Sequence, residues 1–242
     1  MSDLHVHAFA PAWGLPSSGP FALKLMAWLS HAGIPWRGVV DNRPANGPLG
    51  KSPWIEQDGL RMGDSDRIIR HLAARHGLGD PMAQPDAAAV MRDALKTAFE
   101  ERFHQILEWE LFLHPEGFAG FRALLAEAAP PLLAPLIARQ MQRHFARQLH
   151  ARGIARLEAT EIAALGKRHL DGLDTVLAEG TGWLNGAEPG VVDFAVWGQV
   201  APLLHWPMAT PVATHARRLP NVTDWSTRLQ AAAFGADQAR VA

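Results

Sequence analysis

A change of pattern near residue 77 constrains the fold of this 242-residue chain more than any other feature. Before that point, short apolar segments typical of strands alternate with helical segments in the order β-α-β, a polar loop, and β-β-α. After it, apolar residues recur at helical spacing through nearly all of the remaining sequence. Alternating elements followed by a run of helices predict a small α/β domain joined to a larger all-α domain.

The proline-bearing segment at 78–85 gives the boundary between the two domains. We predict an α/β domain over residues 1–77, a linker over 78–85 and an all-α domain over 86–242. In the first domain, an Asp-Gly pair at 58–59 marks the turn of a hairpin. In the second, prolines interrupt the apolar stretch within residues 114–160. The predicted helices of the second domain cover 86–113, 119–150, 158–180, 191–205 and 223–233.

Composition excludes several classes of function. The chain has no cysteine, so disulfides, thiolate metal sites and cysteine catalysis are excluded within it. Its net charge is -1 at pH 7, which provides no global field to attract nucleic acid or an anionic membrane, and we expect neither as a partner. No signal peptide is visible, and the longest apolar stretch is shorter than the about 20 residues that a spanning helix needs. We therefore expect a cytoplasmic protein.

Twelve histidines raise the question of a metal site. His5 and His7 share one face of a predicted strand, but the spacing places no third ligand beside them. His71 and His76 are five residues apart, which puts them on different faces of a helix, and no HExxH motif occurs. We expect no metal cofactor.

Three motifs, GPFALKLMAWLSHAGIPW, GKSPWIEQDG and GDSDRIIRHL, occur in the order of successive signatures of a known superfamily. They resemble the glutathione S-transferase superfamily, and the first most resembles its branch of metaxins and failed-axon-connections proteins. The segment LDTVLAEGTGWLNGAEPGVVDFAVWGQVAPLL resembles a late helix of the same family. The resemblance implies a thioredoxin-like α/β N-terminal domain followed by an all-α C-terminal domain, glutathione as co-substrate, and a homodimer.

The resemblance also implies a set of glutathione-binding residues. Pro53 stands where the family has a cis proline, which would aim the backbone of Ser52 at the peptide backbone of glutathione. An ordinary trans proline at the start of a strand is the alternative. Asp64 and Ser65 stand where the family binds the γ-glutamyl group at a helix N-terminus, and helix capping is the alternative role. Lys51 could meet the glycine carboxylate or be a solvated surface charge.

The position of the family's reactive group has changed in this chain. Residues 19–22 read GPFA where thiol members have a quartet like Cys-Pro-Phe-Cys, so both thiol positions are empty. Tyrosine cannot replace them, because the chain has none. Ser18 and Ser17 lie one and two residues before the expected position. We predict that the hydroxyl of Ser18, or secondly that of Ser17, donates a hydrogen bond to the glutathione sulfur. The alternative is that these serines only cap the helix.

Two helical patterns of the second domain have structural interpretations. Asp193 follows Gly190 by three residues, so its carboxylate can reach back to the N–H group at the helix start, which is a folding feature. Arg139, Arg143 and Arg147 form a stripe along one helix face. Such a stripe is usually a solvated face, and an acidic partner is the alternative.

These observations predict a glutathione transferase-like protein that conjugates the glutathione thiolate to small apolar electrophiles. The alternative is a non-catalytic protein of the same fold that binds glutathione or a partner, as metaxin-like proteins would. The altered nucleophile position and the unmatched region 114–160 favour this alternative. Retention on glutathione, followed by a turnover assay, separates the two.

Overall fold

Residues 3–235 are described by the computed structural model, beginning with a four-stranded mixed sheet. The strands are β1 (His5–Ala8), β2 (Arg37–Val40), β3 (Trp54–Gln57) and β4 (Leu60–Gly63) in the spatial order β2-β1-β3-β4. β1 and β2 are parallel, and the other two pairs are antiparallel. Helices α1 (Pro20–His31) and α2 (Ser65–Arg75) complete this part of the chain. The predicted thioredoxin-like domain followed by helices is confirmed.

The register of the strands brings three loops to one edge of the sheet. Trp54 at the start of β3 is opposite His7 near the end of β1 and opposite Gly63 at the end of β4. The residues that precede Trp54, follow Gly63 and follow Ala8 therefore meet at the same edge. We call this the loop edge of the sheet.

Helix α1 connects the sheet to the helices of the second domain. It starts with Pro20, whose fixed φ suits the first helical position. All eight residues from Ala22 to Leu29 are buried, because one side of α1 packs against α2 and the other packs against a later helix, α8 (Val191–His205). At Gly198 of α8 an added Cβ would lie 2.4 Å from the carbonyl oxygen of Pro20. The two helices thus pack backbone to backbone.

The rest of the described chain is helical. The stretch predicted as one helix over 86–113 is divided: a π-helical segment joins α3 to α4. The stretch over 119–150, predicted with proline interruptions, is two helices, because the prolines near residue 130 end one helix before the next begins. The bounds are α3 (Ala87–Thr97), the π-helical segment (Ala98–Phe103), α4 (His104–Phe112), α5 (Pro115–Ala128), α6 (Ala134–Ala151), α7 (Ala159–Glu179), α8 (Val191–His205), α9 (Pro211–Ala216) and α10 (Pro220–Phe234).

The division into domains at 78–85 remains a proposal. That linker lies between the end of α2 and the start of α3, and residues 236–242 of the second proposed domain lie outside the described residues. Within 3–235, no helix combines the length and the apolar character needed to cross a bilayer.

The unmatched region 114–160 contains an antiparallel pair of helices that we call the α5–α6 hairpin, residues 115–151. Phe121 and Ala138 of the hairpin form a small apolar cluster with Phe112 of α4. The rings of Phe112 and Phe145 stack with centroids 3.8 Å apart. The hairpin is therefore packed against α4 from one side.

The start of α8 depends on a buried carboxylate. Asp193 accepts a hydrogen bond from the N–H of Gly190 at 3.0 Å, as predicted. It also accepts from the N–H groups of Leu184 and Asn185 at 2.7 and 3.0 Å and from the indole N–H of Trp225 at 3.1 Å. Burial nevertheless raises the pKa of this carboxyl above its usual value. Asp193 thus joins a loop and two helices.

Candidate functional site

The first part of the loop edge is the segment before β3. The Ser52–Pro53 peptide bond is cis, as the resemblance implied. The hydroxyl oxygen of Ser52 is buried and has no hydrogen-bond partner among the described residues. A buried polar atom without a partner is rare in folded proteins and points to a group supplied from outside the chain. Lys51 adjoins this segment, with its side chain exposed.

The second part is the N-terminus of α2. Asp64 is the N-cap residue, and its Oδ1 accepts a hydrogen bond from the N–H of Arg67 at 3.0 Å. Its φ of 76° is unusual for a residue other than glycine, and such strain is concentrated at functional sites. Asp64 is exposed and Ser65 is buried. Capping is therefore observed, and it leaves the second oxygen of Asp64 facing solvent.

The third part is the loop that leads into α1, where the two candidate serines differ. The hydroxyl of Ser17 is buried, donates to the carbonyl of Phe9 at 2.9 Å and accepts from the N–H of Gly19 at 3.1 Å. Its proton is therefore not available to a bound thiol, which argues against Ser17 as a candidate. Ser18 is partly exposed, and only its backbone N–H is bonded, to Ala10 at 2.9 Å. Ser18 is the remaining hydroxyl.

Four charged residues, of which Asp66 is partly exposed and the other three are buried, link the N-terminal parts of α1 and α2. Lys24 of α1 contacts Asp66 of α2, and its ammonium lies 2.6 Å from a carboxylate oxygen of Glu100. Lys96 of α3 lies 2.5 Å from Asp66 and 2.8 Å from Glu100. We call these four residues the ion ring. Although burial acts to raise it, the two ammonium groups hold the pKa of Asp66 below its usual value.

Sequence reasoning missed the residues that the second domain contributes beside the start of α1. The ring of His104 lies edge-to-face with that of Phe21, with centroids 5.0 Å apart. Its Nδ1 lies 2.9 Å from Oε1 of Gln199, and its Nε2 lies 3.3 Å from a carboxylate oxygen of Glu108. Glu108 also pairs with Arg152 at 3.1 Å. The i, i+4 spacing of His104 and Glu108 was a possible signal.

The structure thus gathers Ser18, Ser52 with Pro53, and Asp64 with Ser65 at one edge, with Lys51 nearby. Both helix N-termini there carry partial positive charge, which suits anionic groups. In the described part of the chain, no group of three or more His, Asp or Glu side chains is arranged to hold a metal ion.

Residues 20–117 match the family model of the glutathione S-transferase N-terminal domain. The isoprene-epoxide–glutathione S-transferase of Rhodococcus sp. (strain AD45) is 22% identical over an alignment of 237 residues, and the match covers 93% of this chain and 97% of that protein. Failed axon connections of Drosophila melanogaster is 29% identical over 73 residues, 30% of this chain and 18% of that protein.

Among solved structures, a theta class glutathione S-transferase from Xanthomonas axonopodis pv. citri, with glutathione bound, superposes with a TM-score of 0.54. It is 17% identical, and the match covers 98% of this chain and all of that one. The fold is therefore the two-domain fold of the glutathione transferases. The resemblance to the glutathione S-transferase superfamily is confirmed, and the match to Failed axon connections fits the branch that the first motif indicated.

Proposed function

We propose that this chain binds glutathione at the loop edge and conjugates its thiolate to small apolar electrophiles. One observation carries the proposal: the buried hydroxyl of Ser52, which has no partner among the described residues, lies at the same edge as the start of α2 and the start of α1. A peptide with a carboxylate at one end and a thiol in its middle fits this arrangement of polar groups.

Each part of glutathione has a candidate partner. The γ-glutamyl carboxylate would lie at the N-terminus of α2 beside Ser65, and its ammonium would face Asp64. The cysteinyl backbone would pair with Ser52, and Lys51 would meet the glycine carboxylate. A similar solved structure with glutathione bound, from Xanthomonas, supports the choice of ligand.

Ser18 would activate the thiol. A free thiol has a pKa of about 8.5, which leaves about 3% thiolate at pH 7. Lowering that pKa by about two pH units takes roughly 2.7 kcal/mol. One hydroxyl hydrogen bond to the charged sulfur together with the N-terminus of α1 is of this order. The ring of Phe21 and the second-domain residues around His104 would line the pocket for the electrophile.

The name of the Rhodococcus relative suggests a small apolar epoxide as the first electrophile to test. Glutathione binding is measured by isothermal titration calorimetry, and conjugation is measured with an activated aryl halide and with a small epoxide. We expect binding and turnover on at least one of them. Glutathione binding that is undetectable at millimolar concentration would refute the proposal.

A non-catalytic binding protein is the second candidate, and the α5–α6 hairpin with its exposed leucines favours it. Binding of glutathione without turnover on any electrophile would support it. We further propose that the protein is a cytoplasmic homodimer, as the resemblance implies. Light scattering on the purified protein tests the dimer.

A further inference from the structure

The turn between α5 and α6 exposes leucines. Leu132, Leu133 and Leu136 have 93%, 50% and 64% of their surface exposed. A single exposed leucine is ordinary, but three within five residues form an apolar patch that marks an interaction site. We call these three residues the leucine tip. They lie at the end of a helical hairpin, so they project outward and do not line a groove.

The outer face of α6 continues from this tip as a row of positive charges. Arg139, Arg143 and Arg147 follow Leu136 at intervals of three and four residues, so all four lie on one helix face. The three arginines are exposed, and none has an ion pair or hydrogen bond within residues 3–235. The opposite face of α6 packs inward through residues such as Ala138. This basic face is therefore open.

The surrounding sequence strengthens the positive charge. Residues 128–157 carry five arginines and no acidic residue, although the whole chain has a net charge of -1. The net charge of the whole chain predicted no membrane partner, but that value combines this basic segment with an excess of acidic residues in the rest of the chain. Attraction over a Debye length of about 8–10 Å depends on the local charge.

We propose that the leucine tip and the basic face dock on the surface of an anionic lipid bilayer. The leucines would enter the boundary of the acyl chains, and the guanidinium groups would bind lipid phosphates through their paired N–H donors. The distance from Leu136 to Arg147 along α6 is about 16 Å, so α6 must lie along the surface for all three arginines to reach it. Such docking needs no helix that spans the bilayer.

A bilayer fits these features better than an acidic protein does. A protein partner would need a rigid pocket that matches an outward-projecting tip, whereas the interface of a bilayer is apolar and deforms around inserted side chains. The flanking arginines match the phosphates that lie directly above that apolar layer. With α6 lying along the surface, the leucines can enter the apolar boundary while the arginines of the same helix face reach the phosphates beside them.

The test is sedimentation of the full-length protein with lipid vesicles. One set contains phosphatidylcholine alone, and the other contains about one third phosphatidylserine. We expect binding only to the anionic vesicles, with a marked loss as salt rises above about 0.1 M. Two triple variants remove the proposed contacts. The leucine variant combines Leu132→Ser, Leu133→Ser and Leu136→Ser. The arginine variant combines Arg139→Gln, Arg143→Gln and Arg147→Gln. Each should weaken partitioning about tenfold or more.

Matched controls alter exposed residues elsewhere in the same way. One control variant removes three exposed apolar side chains through Leu78→Ser, Met91→Ser and Val176→Ser. The other removes three exposed charges through Arg70→Gln, Arg168→Gln and Arg218→Gln. Both controls should bind vesicles as the native protein does. Circular dichroism verifies that every variant is folded.

Three outcomes would overturn the proposal. Absence of binding to anionic vesicles is the first, and equal losses in the variants and their controls are the second. The third combines two results: polyglutamate displaces the protein from the vesicles, and the leucine variant binds the vesicles as the native protein does. This result would indicate an acidic protein partner. A change of oligomeric state in the leucine variant, without any vesicle binding in the native protein, would assign the tip to a second copy of the chain.

Discussion

Ser17 and Ser18 are adjacent in sequence but have opposite environments. The hydroxyl of Ser17 is buried and bonded on both sides, so it stabilises the loop that leads into α1. The side chain of Ser18 is partly exposed at the edge where a thiol would lie. Their two roles can therefore be separated by single substitutions.

Replacing each serine by alanine should change a different property. Ser17→Ala should lower the free energy of unfolding by about 1–3 kcal/mol, because it removes two buried hydrogen bonds, and leave the pKa of bound glutathione unchanged. Ser18→Ala should raise that pKa by about one pH unit or more and slow conjugation at pH 7 about tenfold, with little effect on stability. Urea denaturation and the ultraviolet absorbance of the thiolate as a function of pH measure the two effects. If the double variant keeps full activity, no hydroxyl in this loop activates the thiol.

Asp64 should matter more to glutathione than to the fold. Its cap bond to Arg67 is at the surface and uses one carboxylate oxygen, which leaves the other for the proposed ammonium group. Asp64→Ala should weaken glutathione binding by about 1.5–3 kcal/mol, the range for a hydrogen bond to a charged group. Asp86→Ala is the matched control, because Asp86 caps α3 in the same way but lies away from the loop edge. Equal affinity of both variants for glutathione, measured by calorimetry, would leave Asp64 a cap only.

Glu110 makes stability depend on pH. It is buried in α4, one oxygen accepts from the N–H of Val212 at 3.2 Å, and the other has no partner in the described part of the chain. Burial raises its pKa to about 7 from a usual 4.5. The folded protein therefore binds the proton more tightly than the unfolded chain, so this contribution is complete below pH 4.5 and is lost as the pH rises through 7.

The corresponding variant is Glu110→Gln, which is neutral at every pH. Relative to the native protein, its free energy of unfolding should increase by up to about 3 kcal/mol between pH 4.5 and pH 8. Urea denaturation at a series of pH values measures this difference. A difference that stays constant with pH would show that Glu110 is ionised in the folded protein near its usual pKa.

At the scale of elements, the start of α8 depends on one side chain. Asp193 is fully buried and accepts hydrogen bonds from three backbone N–H groups and the indole of Trp225. Gly190 at the N-cap offers no side chain to share this role. α8 in turn supports α1, because the two helices pack directly against each other.

Asp193→Ala should therefore be among the most destabilising substitutions in the chain. We expect a loss of about 3–5 kcal/mol, since several buried donors lose their acceptor at once. Asp193→Asn keeps the shape and one acceptor oxygen, and it should cost less. Chemical denaturation measures both. If the alanine variant were as stable as the native protein, the carboxylate would have no structural role.

The elements that sequence reasoning predicted correctly are those defined by local signals. The hairpin of β3 and β4 was predicted from the Asp-Gly turn, and the order β-α-β before it was predicted from the alternation of strand-like and helical segments. The π-helical segment after α3 has no local signal, because its geometry follows from packing. In the candidate site, motifs supplied Ser52 and Asp64 as candidates, and their role in glutathione binding stays a prediction. The environment of Ser17 has no such motif, because it depends on a carbonyl eight residues away. The ion ring joins residues up to 76 positions apart, beyond the reach of any local pattern.

At the scale of the whole molecule, the ion ring joins the two predicted domains. Lys24 and Asp66 belong to the first domain, and Lys96 and Glu100 belong to the second. Two positive and two negative charges balance one another inside the protein. Removal of one member leaves an unpaired buried charge, whereas removal of a whole pair does not.

Glu100→Gln should lower the free energy of unfolding by about 3–5 kcal/mol and weaken glutathione binding, because the ring positions the start of α2. Lys96→Met combined with Glu100→Leu should recover most of the stability, since the pair of Lys24 and Asp66 remains. A double-mutant cycle from chemical denaturation, with calorimetry of glutathione binding, measures both effects. Additive losses in the double variant would contradict a balanced ring.

The close approach of Gly198 to Pro20 limits how this protein can be recombined. Any side chain at position 198 would push the start of α1 out of place. A thioredoxin-like domain taken from another protein could therefore be joined to these helices only if its first helix left room for the backbone of α8. The loop before α1 and the helix α8 are therefore inherited together. Variation in substrate choice should arise by substitutions around the pocket, and exchange of whole domains should yield chains that fold poorly.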